Sequence, residues 1–354
     1  MKQAILNLMR MTGAFAPFRR ANRDKALIVT YHRFSERDAE AATSARAFSE
    51  QLEYLRAHYT IMPLSEMARA MSEGSPLPRA SAAITIDDGY RDAREIAFPL
   101  LRKHGVPATL FVVTDFIDRK TWLWTDKSRF LTFNAPAGRF EVTVAGRALA
   151  LELNGRASRF FAADRVNSAL KALPDDAKQG AIDLVAGQLG VEPPASPPEE
   201  FAPITWDQAR EMDAAGVEIG SHTVTHPILT RVAGDRLSFE LGQSRARLEE
   251  MLGREVGLFC YPNGDLNPDV RAEVARAGYM AAVTTEPGLN KTSSNGGRGD
   301  LFALKRIHAT RDLSHFIQST SGFEQMKSRL RGSRGDEPAG AADLPGACRE
   351  GATN

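Results

Sequence analysis

A parallel α/β barrel is the fold this sequence predicts, on three observations. Seven short apolar runs recur along the chain, helical patterns lie between most of them, and polar residues able to do chemistry follow the runs. Alternating strands and helices imply parallel strands. In a parallel barrel the C-terminal strand ends form one face, so polar residues far apart in sequence become neighbours there. Length leaves the domain count open, since 354 residues hold one barrel of about 250 residues plus an insertion as readily as two domains.

The elements follow in order. Residues 1–25 form an N-terminal segment in which Ile5, Leu8 and Met9, with the basic Arg19, Arg20, Arg23 and Lys25, allow a short interfacial helix in peripheral contact with a membrane. A frayed or docked helix is the plainer reading, because the apolar face is short. Asn7, Arg10 and Thr12 interrupt any signal-peptide core and no transmembrane run occurs, so a cytoplasmic protein, with membrane association through this segment as an option, is expected. The first run, Ala26 to Tyr31, leads to His32. Phe48, Leu52 and Leu55 share a helical face before the second run, Ala82 to Ile86, which stops on Asp87-Asp88-Gly89. Ile96, Leu100 and Leu101 form the next helical face, and Ala108 to Val113 is the third run.

From about 119 to 203 the alternation breaks. Phe140 to Val144 and Leu149 to Leu153 flank Gly146 like a hairpin, two helical stretches follow, and Pro193, Pro194, Pro197, Pro198 and Pro203 make a stiff return. This reads as an inserted hairpin-plus-helices cap. Trp122 and Trp124 at its start either stack on a sugar face or pack, and packing is the commoner fate of such rings. Thr205-x-x-Gln208 resembles a capping box ahead of the fourth run, Val217 to Ile219, which leads to His222 and His226. Leu237, Leu241, Leu248 and Leu252 fit a longer helix, Val256 to Cys260 is the fifth run, and Asn263-Gly264 follows it. Asn267-Pro268 and Gly278 bound another helix, and Met280 to Thr284 and Phe302 to Ile307 complete the barrel, giving a domain over 26–330. Residues 331–354, poor in apolar side chains, read as a disordered tail.

Charge and cysteines narrow the class. With 45 Lys and Arg against 44 Asp and Glu, no strong field draws the chain to nucleic acid, and none is expected as a partner. Cys260 and Cys348 sit in unlike contexts, so no disulfide framework is implied.

Two segments carry chemistry. Adjacent residues on a strand point to opposite sides, so of Asp87 and Asp88 one can bind a cation while the other moves protons. His222 and His226, four apart, project to one point from a helical turn or a turn-like loop. Two imidazoles and one carboxylate leave coordination positions open on a divalent metal; zinc, which lowers the pKa of a bound water to about 7, is the first choice, and the arrangement also suits Fe(II). Each motif alone also fits a polar turn, and their conjunction is what speaks for a site.

These residues resemble the polysaccharide deacetylase family, the NodB-homology domain of the carbohydrate esterases. Thr85-Ile86-Asp87-Asp88-Gly89 is similar to the family's T-F-D-D-G motif, and His222-Thr223-Val224-Thr225-His226 to its H-[ST]-x-x-H motif. Weaker likeness lies at Thr30-Tyr31-His32-Arg33, Pro107 to Phe111 and Phe259 to Gly264. The resemblance implies a distorted (β/α)₇ barrel and metal-dependent removal of an acetyl group from an N-acetylated sugar of a polysaccharide, oligosaccharide or lipid-linked glycan precursor. It implies that Asp87 is the general base, that Asp88, His222 and His226 hold the metal, and that the backbone N–H of Asn263 stabilises the oxyanion. His32, Tyr261 and Trp124 are then expected to meet the carbohydrate. The family's third motif often opens with an Arg that pairs with the base; Cys260 stands there instead, and Arg306 is the available substitute, against the equal prospect of a surface Arg. The last motif, L-x-x-H, is off register by one in Leu304 to His308, which makes His308 the candidate leaving-group acid and His315 a weaker one. The family's tryptophan-containing fourth motif is not evident. O-deacetylation, deformylation, cyclic-amide hydrolysis and non-catalytic glycan binding by a decayed barrel stay open.

Overall fold

The barrel rests on strand alternation. In the computed structural model, which describes residues 2–39, 41–232, 234–292 and 299–332, seven parallel strands close on themselves. They are β1 (Leu27–Tyr31), β2 (Ser81–Ile86), β3 (Ala108–Val112), β4 (Val217–Ser221), β5 (Leu258–Cys260), β6 (Ala281–Pro287) and β7 (Leu304–His308). Each pairs with the next, and β1 closes the ring by pairing with both β2 and β7. A two-residue strand, Thr60–Ile61, adds to β2 outside the ring. The family's distorted seven-stranded barrel is the fold observed.

Side chains of period two divide between the layers. Leu27, Val29, Tyr31, Ala82, Ile84, Ile86, Leu110 and Val112 join the core under the surrounding helices. Ile28, Ala83, Phe111, Leu258, Cys260, Ala281, Val283 and Leu304 form a second cluster inside the barrel, into which helix Leu64–Glu73 packs Leu64, Met67 and Met71. Glu218, inward on β4, accepts the Leu64 N–H at 3.0 Å and the Thr109 hydroxyl at 2.7 Å, so it caps that helix from within. Gly220 occurs where it does because a Cβ there would meet the Phe111 ring at 2.6 Å.

Between β3 and β4 the chain leaves the barrel. Arg139–Val144 and Arg147–Glu152 pair antiparallel through Ala145-Gly146, both left-handed, as a tight two-residue turn requires. Helices Trp124–Asn134, Arg156–Lys171 and Asp175–Leu189 pack on it around Leu131, Val142, Leu151, Val166, Ile182 and Val185. The return segment is stitched to the loop after β2: Arg91 N–H donates to Ala202 O and Ile204 N–H to Gly89 O. The insertion therefore abuts the loop that carries the two aspartates. Helices span Lys2–Met11 and Ala16–Ala21 at the N-terminus, and no helix among the described residues is long and apolar enough to cross a membrane. The last helix runs Phe323–Gly332, and the rest of the tail expected at 331–354, Cys348 included, lies outside the described residues.

Candidate active site

The inward positions of the strands continue past their C-terminal ends, and this continuation builds the site. Thr30, Thr85 and Asp87, His222, Cys260, and Arg306 each fall in step with the inward apolar residues below them. The result is a cluster of buried polar groups at one mouth of the barrel, where the sequence places its chemistry.

Asp87 is buried beneath the rim and held by Arg306. Arg306 Nη1 donates to Asp87 Oδ1 at 2.8 Å and Nη2 to Oδ2 at 2.7 Å, a two-pronged pair. Arg306 is fully buried, with its Nε on Thr284 O at 2.7 Å and Nη1 on Thr85 Oγ1 at 3.1 Å, so the surface reading of this residue is ruled out. Burial alone pushes the Asp87 carboxyl up, but the Arg306 charge and, behind it, His32 hold it well below the usual carboxylate range. Cys260 completes the corner, its Sγ 3.5 Å from Asp87 Oδ2 and 3.3 Å from Arg306 Nη2.

Asp88 should by alternation point away from the barrel axis. It does not, because its backbone is left-handed (φ 77°). Its Oδ1 lies 3.5 Å from Nε2 of both His222 and His226. That spacing fits a cation: ligands about 2.0–2.2 Å from a tetrahedral zinc sit roughly 3.3 Å from one another. The imidazoles are prepared for it unequally. His222 Nδ1 meets Cys260 O at 2.7 Å, which turns Nε2 toward Asp88, whereas His226 Nδ1 is buried with no partner. Burial, followed by the neighbouring His222, lowers the His226 pKa to about 3 and leaves its ring neutral, as a metal ligand must be. Asp87, His222 and Cys260 also converge. Arg306 already sets a positive charge against that trio, so Asp88, His222 and His226 make the better cation site.

The two imidazoles come from a loop and not from a helical turn, with Thr223 and His226 both left-handed. Its brace escaped the sequence reading. Glu240, fully buried on helix Asp235–Leu252, accepts the N–H of Val224 at 2.8 Å, the N–H of Thr225 at 2.9 Å and the Thr225 hydroxyl at 2.6 Å. The visible signal was an acid inside the Leu237–Leu241 stripe, a position normally apolar.

Around the rim, His32 Nε2 lies 3.6 Å from Asp87 Oδ2, and its ring stacks on His308 with centroids 5.5 Å apart. Burial, then the nearby His32 and Arg306, lowers the His308 pKa to about 4. Asn263 sits on the turn after β5 with φ 59°, and Gly264 is required beside it because a Cβ there would strike the Thr285 backbone and hydroxyl. His315 pairs with Asp312 at the start of helix Leu313–Thr320.

Two expected carbohydrate contacts are corrected. Tyr261 follows inward Cys260 and so faces outward; it is fully buried against Phe259 and Tyr279, and its hydroxyl is spent on Phe302 O at 2.9 Å. Trp124 is buried in the core of the insertion, with Lys178 over its ring, and its indole N–H donates to His226 O at 3.2 Å. It steadies the His226 turn from the insertion side and has no free face for a sugar.

The sequence profile of the polysaccharide deacetylase family matches residues 74–282. The chain is 20% identical over 291 residues to YxkH of Bacillus subtilis (strain 168), provisionally named a polysaccharide deacetylase, covering 82% of this chain and 73% of that one. It is 27% identical over 111 residues to the poly-beta-1,6-N-acetyl-D-glucosamine N-deacetylase of Staphylococcus epidermidis, covering 27% of this chain and 38% of the relative. Among solved structures, the deacetylase PplD of Streptococcus pyogenes superposes with a TM-score of 0.55 at 20% identity, covering 84% of this chain and 98% of PplD.

Proposed function

The chain belongs to the polysaccharide deacetylase family, and we propose that it is a metal-dependent hydrolase that removes the acetyl group from an N-acetylated sugar of a glycan. The observation that carries this reading is the split between the adjacent aspartates. Asp88 faces two imidazole nitrogens at 3.5 Å, and Asp87 faces a guanidinium at 2.7–2.8 Å. One carboxylate is thus committed to a cation and the other kept ionised beside it.

The donor set of Asp88, His222 and His226 suits a divalent ion, zinc first. Such an ion would polarise the acetyl carbonyl and acidify a water. Asp87, unprotonated across the neutral range, takes the proton of the attacking water, with Arg306 fixing its orientation. The Asn263 N–H faces the oxygen of the tetrahedral intermediate. As the C–N bond breaks, the departing amine takes a proton from the imidazolium form of His308, and acetate and the free amino sugar leave. His308, neutral in the free site with a pKa near 4, is exposed at the rim and takes up that proton from solvent once the developing negative charge of the intermediate raises its pKa. The staphylococcal relative makes β-1,6-linked N-acetylglucosamine oligomers the first substrate to test.

The experiment is mass spectrometry of such oligomers, and of other N-acetylated glycans, after incubation with zinc-loaded protein. Loss of acetyl by the wild type and a fall of about 10²- to 10⁴-fold in Asp87→Asn is the expected result. Cleavage of O-acetyl esters with every N-acetyl group left intact would replace this reading by O-deacetylation.

A further inference from the structure

The N-terminal helix is amphipathic, and its apolar side faces solvent. Helix Lys2–Met11 docks on helix Leu313–Thr320 through polar groups: Arg10 Nε donates to Ser314 Oγ at 3.1 Å, and Ser314 Oγ donates to Asn7 Oδ1 at 2.8 Å. At 3.6 residues per turn, Ile5, Leu8 and Met11 form a ridge away from that contact. They are 51%, 60% and 76% exposed, and they are three of the seven large apolar side chains exposed among the described residues. A ridge of this kind on one short element marks a partner more than chance exposure does.

Charge identifies the partner. Residues 1–23 contain Lys2, Arg10, Arg19, Arg20 and Arg23 and no acidic residue, whereas the remaining chain has 40 basic against 44 acidic side chains. The positive charge is therefore segregated next to the apolar ridge. A second copy would oppose like charge to like. Residues 333–354 offer only Leu344 as a large apolar side chain to cover the ridge.

We propose that the segment formed by helices Lys2–Met11 and Ala16–Ala21 is a docking surface for an anionic lipid bilayer. The apolar ridge enters the headgroup boundary and the exposed Arg20 meets lipid phosphates, the other basic side chains of the segment adding to the attraction. Three apolar side chains give weak, reversible binding, so the charge is needed as well. Ser314, which holds the helix, lies six residues beyond His308 at the end of β7, and the groove beside it is lined by Arg10, Arg46 and Arg311 together with Asp38, Glu50 and Asp312. The inference stands apart from the catalytic reading.

Sedimentation of the full chain with vesicles tests it. Vesicles of phosphatidylcholine with about one quarter phosphatidylglycerol should bind the wild type about tenfold or more tightly than phosphatidylcholine alone, and salt should weaken that binding. Leu8→Glu and Arg20→Glu alter exposed side chains, so each should leave the circular dichroism spectrum and thermal midpoint unchanged while weakening binding about tenfold. Equal binding to neutral vesicles, no binding, or unchanged binding by Leu8→Glu would overturn the proposal. A concentration-dependent dimer dispersed by Leu8→Glu would assign the ridge to a second copy and overturn it too.

Discussion

Arg306 shows at the scale of one residue how geometry changes what a side chain is for. An arginine at a strand end is usually solvated, but here it crosses the barrel interior to Asp87 and uses its remaining donors on Thr85 and Thr284. Burial raises the Asp87 pKa and Arg306, with His32 and His222 behind it, more than reverses that, so removing the Arg306 cation must move the pKa upward. Arg306→Ala should shift the acidic limb of the pH dependence of kcat/KM to higher pH, and Arg306→Lys, which cannot form the two-pronged pair, should recover only part of the shift. The same pair acts on stability with a definite sign. A carboxyl depressed in the folded state contributes stability above its unfolded pKa, near 4, and loses it as pH falls through the folded value. Breaking the pair should cost about 3–5 kcal/mol at neutral pH, read by denaturant titration, and a lone buried Asp87 should erase the steep acid dependence. Superimposable pH profiles for wild type and Arg306→Ala would make Arg306 purely structural. Asp87, Asp88, His222 and His226 were legible in the sequence because their motifs are contiguous. Arg306 was legible only as a candidate, because a single residue carries no spacing that says where it points. Tyr261 was within reach of a stricter reading, since counting by two from Cys260 turns it outward.

At the scale of elements, the loop that carries His222 and His226 is positioned from outside itself. Its two left-handed residues are backbone states that cost about 1–3 kcal/mol each unless the surroundings hold them. Glu240 supplies three acceptor contacts from the neighbouring helix, and Trp124 holds His226 O from the insertion. Glu240→Ala takes the acceptor from the buried Val224 N–H, the half-buried Thr225 N–H and the Arg236 guanidinium, and loosens the convergence of His222 and His226. Zinc affinity, measured by competition with a chromogenic chelator, should fall about 10- to 100-fold, with a loss of about 1–3 kcal/mol in stability. Glu240→Gln keeps a carbonyl acceptor and should recover most of the stability but less of the affinity. If Glu240→Ala binds zinc like the wild type, the loop holds its own shape. Helix Asp235–Leu252 was readable from its leucine spacing, and its pairing with the loop was not, because that contact depends on how the helix is rotated against β4 and the sequence contains no term for it. The insertion is a similar case: hairpin and helices follow from Gly146 and the broken alternation, but nothing in the sequence says that its return strap hydrogen-bonds the Gly89–Arg91 loop.

Across the whole molecule, the barrel brings Asp88 at the end of β2 and the two histidines beyond β4 to one point, although β3 and the entire insertion separate them in the chain. The parallel fold was legible from the alternating runs, and the convergence on one mouth followed from it. The direction of each side chain did not, because the left-handed turn at Asp88 redirects a carboxylate that strand geometry alone would send outward. A divalent ion bound there would cross-link β2 to the loop after β4 in the folded state alone, so it must stabilise folding by mass action. The gain is about 2.7 kcal/mol when free zinc is 100 times its dissociation constant. Wild-type protein should therefore melt several degrees higher with saturating zinc than after chelation, and His222→Ala and Asp88→Asn should show little of that rise. The rise should shrink with acidification because zinc competes with protons for the ligands, imidazoles first. Asp87→Asn separates this effect from catalysis: the variant should start from a lower midpoint, because Arg306 loses its ionised partner, yet keep a zinc-dependent rise close to that of the wild type. An equal rise in wild type, His222→Ala and Asp88→Asn would place the ion elsewhere, and no rise in any of them would remove the metal from the account of this barrel.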